Sequence, residues 1–166
     1  MKKFTFTLLF VMGCFFSLQA QDQTRVGALL AYGSEIESLG IGLNAEFPAM
    51  ENLTIAPSII YYLPQKEFGI SVNWLEVNAN ANYYFISDEK MSVYALGGIN
   101  YSSISASTDG GLGMGSYKAS EGRLGLNLGG GINIETGGNL IPFGELKYVL
   151  IQGGQLVIGA GIKYTL

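Results

Sequence analysis

The stretch Leu75-Glu-Val-Asn-Ala-Asn-Ala-Asn-Tyr-Tyr-Phe85 decides the fold class. Its odd-numbered positions are all apolar or aromatic, and its even-numbered positions are Glu76, three asparagines and Tyr84. Side chains of a β-strand point alternately to opposite faces, so this period of two predicts a strand with one apolar and one polar face.

The same alternation continues through the chain. In residues 123–135 and 155–166, Leu and Ile alternate with Gly, Asn and charged residues. Reading the other segments by this rule predicts eight strands, at 24–35, 39–47, 53–63, 72–86, 91–104, 121–135, 140–151 and 155–166. Eight antiparallel strands without helices between them indicate an all-β barrel or a sandwich.

The predicted connections differ in length at the two ends of the strands. Short turns follow strands two, four and six, at 48–52, 87–90 and 136–139. The other end has tight connections at 36–38 and 153–154 and two longer loops at 64–71 and 105–120. Short turns at one end and longer loops at the other are typical of barrels that cross an outer membrane.

The first twenty residues predict a secretory signal peptide. Lys2 and Lys3 precede an apolar stretch that ends in Leu18-Gln19-Ala20, a cleavage site of the small-residue type. We therefore expect a signal peptide over residues 1–20 and a β-barrel domain over residues 21–166. Cys14, the one cysteine, lies in the segment that cleavage would remove.

Composition excludes several classes of function. The chain has no histidine, which removes Ser-His-Asp hydrolysis and His-ligated metal sites. The net charge of −4 argues against nucleic acid as a partner, because binding to phosphates needs a basic surface. We expect no catalytic residues, no metal and no cofactor, and we interpret the chain as a protein that is not an enzyme.

Aromatic residues indicate which face lies outside. They concentrate at strand ends on the apolar face, which carries no charge, as expected where a barrel meets two membrane–water interfaces. The predicted belts consist of Tyr32, Tyr61, Tyr101 and Tyr148 at the outer ends and Phe47, Tyr83, Phe85 and Tyr164 at the periplasmic ends. A soluble lipocalin-like barrel, with the apolar face inside, is the alternative.

The chain resembles the small outer membrane β-barrel proteins of Gram-negative bacteria, related to OmpX and to the barrel half of OmpA. The resemblance rests on the signal peptide, the strand pattern, the stretch from Leu75 to Phe85, Val93-Tyr-Ala-Leu-Gly-Gly98 and Gly159-Ala-Gly-Ile-Lys-Tyr164. It implies an eight-stranded up-and-down transmembrane barrel in the outer membrane. Outer membrane lipid is then a partner.

The C-terminal strand predicts a second partner, the barrel assembly machinery. Gly161, Tyr164 and Leu166 have the spacing of the C-terminal assembly signal, although most such proteins end in Phe.

The polar face predicts a network of charges inside the barrel. Its members are Arg25, Glu46, Glu76, Arg123, Glu135, Glu145, Lys147 and Lys163, four acids and four bases. Unpaired charges in a narrow lumen are costly, so we expect ion pairs among asparagines and a largely plugged lumen.

Three functions remain open at this point. The first is a structural or surface-interaction role, with the loops exposed outside the cell. The second is a narrow pore or an OmpW-like conduit for small molecules, and the third is the soluble binder. The sequence names no external ligand.

Overall fold

The computed structural model describes residues 24–67, 70–108 and 118–166. Within these ranges the chain forms eight β-strands that pair in chain order, each antiparallel to the next, and β1 also pairs with β8. The strands are β1 (Arg25–Gly33), β2 (Ser38–Met50), β3 (Leu53–Glu67), β4 (Ile70–Ser87), β5 (Met91–Thr108), β6 (Lys118–Ile134), β7 (Leu140–Leu150) and β8 (Gln155–Thr165). The predicted eight-stranded barrel is confirmed, and the sandwich is excluded.

The alternation that predicted β4 sets the direction of its side chains. Glu76, Asn78 and Asn80 are buried inside the barrel, whereas Val77 and Tyr83 lie exposed on its outer surface. The other strands share this arrangement, so the apolar face is outside and the polar face is inside. The predicted signal peptide lies outside the described residues. Among the described residues, there is no helix long and apolar enough to cross a membrane.

The prediction of long loops at 64–71 and 105–120 is wrong over much of their length, because the flanking strands continue into both segments. β3 continues to Glu67 and β4 starts at Ile70, with Gln65 opposite Val72. β5 continues to Thr108 and β6 starts at Lys118, with Ser105 opposite Ser120. The backbone ladder does not need a two-faced side-chain pattern, so it extends through serine-rich sequence where the alternation is lost. Residues 68–69 and 109–117 lie outside the described ranges.

These extensions form a protruding sheet at one end of the barrel, made of residues 63–67, 70–73, 104–108 and 118–125. We call this end the loop end, and the opposite end, with turns near residues 51–52, 88–90 and 135–139, the turn end. The neighbouring strands β2, β7 and β8 reach the loop end at Ser38, Leu150 and Gln155, and β1 ends at Gly33. The wall is therefore taller on one side.

The two prolines inside predicted strands are accommodated locally. The register of β2 and β3 runs to Asn44 opposite Ser58 and resumes at Phe47 opposite Ile55, so Pro57 falls in the gap. Pro142 pairs with Ile162 of β8, while the ladder of β6 and β7 starts one residue later, at Phe143. Each proline thus sits where one neighbouring ladder is interrupted, as the missing N–H requires.

Apolar side chains also occupy part of the interior. Leu96, Phe143 and Val149 are apolar residues on the otherwise polar face of their strands, and they are buried inside the barrel. Two buried clusters contain them: one of Leu29, Ala31, Ile60, Tyr62, Trp74, Phe143, Val149 and Val157, and one of Tyr84, Tyr94 and Leu96. The interior is thus polar only in part.

Candidate functional site

The outer surface of the barrel is an apolar band between two rows of aromatic residues. At the loop end the exposed rings are Tyr32, Tyr61, Tyr101 and Tyr148, and at the turn end they are Tyr83, Phe85 and Tyr164, with Phe47 half-buried. Exposed Leu, Ile and Val fill the space between, among them Leu30, Leu43 and Ile99. A soluble barrel buries such residues, so the surface excludes the lipocalin-like binder and fits a membrane-spanning barrel.

Inside the barrel, the half nearer the turn end is organised around Glu46. Lys163 Nζ lies 2.9 Å from one carboxylate oxygen of Glu46, and both side chains are buried. The other oxygen accepts hydrogen bonds from Thr54 at 2.6 Å, from Asn82 at 3.2 Å and from Tyr84. The carboxylate therefore has four donors in place of water.

The ammonium group of Lys163 is held equally closely. It donates to Asn133 Oδ1 at 3.0 Å, and it lies 5.0 Å from the ring centroid of Tyr94 and 4.7 Å from that of Phe143. These distances are within the range of cation–π attraction, which strengthens when water is excluded. The aromatic residues inside the barrel thus help to hold a buried charge.

A second buried ion pair occupies the half nearer the loop end. Lys147 Nζ lies 3.2 Å from Glu76, and the two side chains are 2% and 0% exposed. Gln155 Nε2 and the Tyr62 hydroxyl donate to the other oxygen of Glu76, at 2.9 and 3.3 Å. These contacts join β3, β4, β7 and β8 across the lumen, because their residues face one another in a narrow barrel.

A layer of amides connects the two halves. Asn127 Nδ2 donates to Asn78 Oδ1 at 2.9 Å and to Asn80 Oδ1 at 2.8 Å. Asn100 Nδ2 donates to the same oxygen of Asn78 at 2.8 Å, and Asn100 Oδ1 accepts a hydrogen bond from the Ser102 hydroxyl at 2.8 Å. β4, β5 and β6 are therefore linked through side chains as well as through their backbones.

The structure does not bring all eight predicted charges into one network. Arg25 and Glu135 lie 3.7 Å apart near the turn end and are partly exposed. Glu145 accepts a hydrogen bond from Tyr94 at 3.0 Å, and among the described residues no Lys or Arg lies within ion-pair distance of it. Seven of the eight predicted charges thus form two buried pairs, one outer pair and a hydrogen-bonded acid, and the eighth is Arg123.

Arg123 lies outside the interior. It is on the protruding sheet, above the last residue of β7 that pairs with β6, and it forms an ion pair of 3.1 Å with Glu121, whose side chain is 62% exposed. The alternation predicts the face of β6 on which Arg123 lies. That face borders the lumen only as far as β7 extends alongside β6, and β7 ends before Arg123.

Sequence reasoning missed several residues that complete the interior. Gln155 and the Tyr62 hydroxyl donate to Glu76. The hydroxyl groups of Tyr84 and Tyr94 donate to Glu46 and to the half-buried Glu145, respectively. All of them fall on the polar face of their strands, and this is the signal in the sequence that identifies them. A selection by charge alone omits such uncharged donors.

The open space near these groups is at the turn end. A cavity of about 370 Å³ there is lined by Arg25, Glu46, Thr54, Tyr84, Asp88 and Glu135, among others. The cavity therefore extends from the turn end to the Glu46 group. Within the described ranges, no cluster of His, Cys, Asp and Glu has the arrangement of a metal site.

Similar solved structures are small outer membrane barrels. The N-terminal barrel domain of Pseudomonas aeruginosa OprF matches with a TM-score of 0.66 and 14% identity, over 89% of this chain and 100% of that one. Ail, the attachment invasion locus protein of Yersinia pestis, gives a TM-score of 0.57 and 16% identity, over 86% and 97% of the two chains. The outer membrane enzyme PagL gives 0.53 and 13%, over 86% and 99%.

The chain has the fold of the small eight-stranded outer membrane barrels. No protein-family model matches the sequence, and no curated protein matches it at a significant level. At these identities the resemblance concerns the fold, and this fold includes both a protein named for attachment and an enzyme. Function has to be argued from the residues themselves.

Proposed function

We propose that the chain is an integral outer membrane protein of a Gram-negative bacterium with a structural or surface-interaction role. The observation that carries this proposal is the combination of an apolar, aromatic-bordered outer surface with an interior held together by buried ion pairs. The first feature supports contact of the barrel with lipid. The second leaves the ends of the barrel, rather than its lumen, available for function.

A largely plugged lumen is part of the proposal. It is supported by Glu76 and Lys147, which meet across the barrel with almost no exposed surface. The space next to one interior glycine, Gly131, is filled by the ring of Tyr94. Eight strands enclose an interior that side chains alone can fill.

A role other than catalysis is also proposed. The buried carboxylates of Glu46 and Glu76 are occupied by lysine, amide and hydroxyl donors, so neither is free to act as a general base. The sequence offers no histidine to take that role. A structure described as an outer membrane enzyme shares the fold, and the proposal therefore rests on the residues and not on the fold.

A surface-interaction role is supported by the protruding sheet, which extends beyond the aromatic row at the loop end. Ail carries the name of an attachment protein and has the same fold. The further partners proposed are outer membrane lipid around the barrel and the barrel assembly machinery, which would contact the C-terminal strand β8.

Fractionation and surface labelling of cells test the location and orientation. We expect the protein in the outer membrane fraction, with a gel mobility that changes on boiling. An epitope inserted between Gly111 and Gly115 should be labelled on intact cells, and the matched insertion between Asp88 and Glu89 should be labelled only after the cells are opened. Release by carbonate contradicts the membrane location, and the reverse labelling pattern contradicts the orientation.

A further inference from the structure

A groove lies on the outer surface of the barrel and ends at the aromatic row of the loop end. It has a volume of about 720 Å³, and its apolar lining includes Leu30, Leu43, Ile59, Tyr61, Leu75 and Ile162. Ala28 also lines the groove, and in the ladders of β1 it lies between Leu43 of β2 and Ile162 of β8. The groove therefore follows from a small residue between two larger ones at an outward-facing position.

An acyl chain is the occupant that the surroundings of this groove supply, because the groove lies within the surface that we propose to contact lipid. A chain on the open wall contacts protein along one side, whereas a chain in the groove also contacts the flanking side chains. Each contact between carbon atoms adds a small dispersion attraction, and these attractions sum over the length of the chain. The groove should therefore hold a chain more firmly than the wall around it does.

Outward-facing polar residues lie just beyond the end of the groove that is nearer the loop end. We call them the polar patch, which consists of Asn73, Ser103, Ser105 and Ser120. Tyr61 and Leu75 of the groove are partners in the ladder of β3 and β4, and Leu75 is also the partner of Ser103 in β5. The side chains of the patch are half-buried or exposed, and none of them is charged. The apolar groove thus continues directly into an uncharged polar surface.

Hydrogen bonds within the patch leave donors that face outward. The Tyr61 hydroxyl donates to Asn73 Oδ1 at 3.2 Å, which leaves the amide NH₂ group of Asn73 as a donor. The Ser105 hydroxyl donates to the Ser120 hydroxyl at 3.2 Å, which leaves the proton of Ser120. Serine oxygens also accept hydrogen bonds, so the patch matches a ligand with several hydroxyl groups. A phosphate is matched better by Lys or Arg, and the patch contains neither.

We propose that the groove and the polar patch together bind a glycolipid of the surrounding leaflet. Its acyl chain would lie in the groove, and its uncharged sugar head group would lie on the patch. An apolar cavity with a few placed polar groups is the usual form of a small-molecule site. Tyr61 joins the two parts, since tyrosine rings lie at the level of lipid head groups. The inference rests on the proposed membrane location and names a lipid class for the surface-interaction role.

Lipid binding by the purified wild-type protein tests the proposal first. The protein is held in phosphatidylcholine nanodiscs that contain rising amounts of either monoglucosyl diacylglycerol or phosphatidylglycerol with the same acyl chains. Native mass spectrometry then counts the lipids that stay bound after the disc is removed. We expect one glucolipid to be retained, with an affinity at least about fivefold higher than that of phosphatidylglycerol, because the head group adds hydrogen bonds.

A matched pair of variants tests the groove. Ala28→Phe fills the groove with an apolar ring and should lower glucolipid retention by about fivefold or more, because the acyl chain loses its contacts. Ala79→Phe is the control, since Ala79 is also an exposed alanine on the outer surface and does not line the groove. We expect it to change retention by less than about twofold.

A second set of variants tests the polar patch. Asn73→Leu combined with Ser103→Ala should reduce the preference for the glucolipid over phosphatidylglycerol to less than about twofold, without changing the retention of phosphatidylglycerol. Ser103→Thr keeps the hydroxyl group and should retain the preference.

Three outcomes would overturn the proposal. They are equal or stronger retention of phosphatidylglycerol by the wild type, equal effects of Ala28→Phe and Ala79→Phe, and an unchanged preference in the variant with both patch substitutions. A change of gel mobility on boiling shows that each variant is folded. Outer membrane fractionation tests the proposed location separately, so a protein that fractionates as expected without preferring the glucolipid contradicts this inference alone.

Discussion

The interior and the protruding sheet contain ion pairs of almost the same length in very different surroundings. Lys163 and Glu46 are 2.9 Å apart, Lys147 and Glu76 3.2 Å, and Arg123 and Glu121 3.1 Å. The first two pairs are buried and hydrogen-bonded on nearly every side, whereas the third is in water. We therefore expect the surroundings of an ion pair, and not its length, to decide how much its loss lowers the free energy of unfolding.

The largest effect is expected at the turn-end pair. Glu46→Ala leaves Lys163 buried between Tyr94 and Phe143 without its carboxylate, and removing one partner of a buried pair costs about 3–5 kcal/mol. We expect this loss in the free energy of unfolding, measured by urea titration in lipid vesicles. The double variant with Lys163→Met should recover part of it, because no buried charge remains. A change below about 1 kcal/mol for Glu46→Ala would show that water reaches Lys163.

The next effect sharpens the comparison from the outer surface. Leu43 is exposed midway between the aromatic rows, and an arginine at the bilayer midplane of a barrel costs about 2–4 kcal/mol. Leu43→Arg should reduce the folded fraction in vesicles, while the control Leu43→Phe should fold like the wild type. If both variants fold equally well, the outer surface does not face lipid.

The amide layer between the two ion pairs should show an intermediate effect. Asn127→Ala removes a donor to the buried oxygens of Asn78 and Asn80. Asn100 still donates to Asn78, so the Asn80 oxygen is the one left stranded, and a stranded buried acceptor costs about 1–3 kcal/mol. The urea midpoint should fall without a change in the cooperativity of unfolding. An unchanged midpoint would mean that water replaces Asn127, and the lumen would then be more open than proposed.

The smallest effect is expected on the protruding sheet. Arg123→Ala breaks an exposed ion pair with Glu121 and a 3.4 Å hydrogen bond to the carbonyl oxygen of Gln152. Both acceptors are exposed, so water replaces the lost donor. We expect no measurable change in the urea midpoint or in the gel mobility of the unboiled protein. A loss comparable to that of Glu46→Ala would contradict the distinction between the two regions.

The fold could be predicted because one period runs through every strand. The segment from Leu75 to Phe85 gives both the strand β4 and the direction of its side chains, and aromatic residues at strand ends indicate which face meets lipid. The extension of β5 could not be predicted, because Ser105, Ala106 and Ser107 show no contrast between faces. Their pairing depends on the backbone of the neighbouring strand.

The interior was predictable in its composition and not in its pairing. Glu46, Glu76, Lys147 and Lys163 lie on the interior phase of their strands, but partners such as Glu46 and Lys163 come from β2 and β8. Which residues meet depends on the stagger of the closed barrel, which a single sequence does not specify. The same stagger places Arg123 above the end of β7 and outside the lumen.

The measurement that tests the plugged interior most directly is the conductance of the purified wild-type protein in a planar lipid bilayer. A wide-channel porin in the same bilayer serves as the positive control, and the change of gel mobility on boiling shows that the inserted protein is folded. On the proposal that Lys147–Glu76, Lys163–Glu46 and the amide layer plug the lumen, we expect no steady current steps. Stable openings on the nanosiemens scale would contradict the plugged lumen and support a pore.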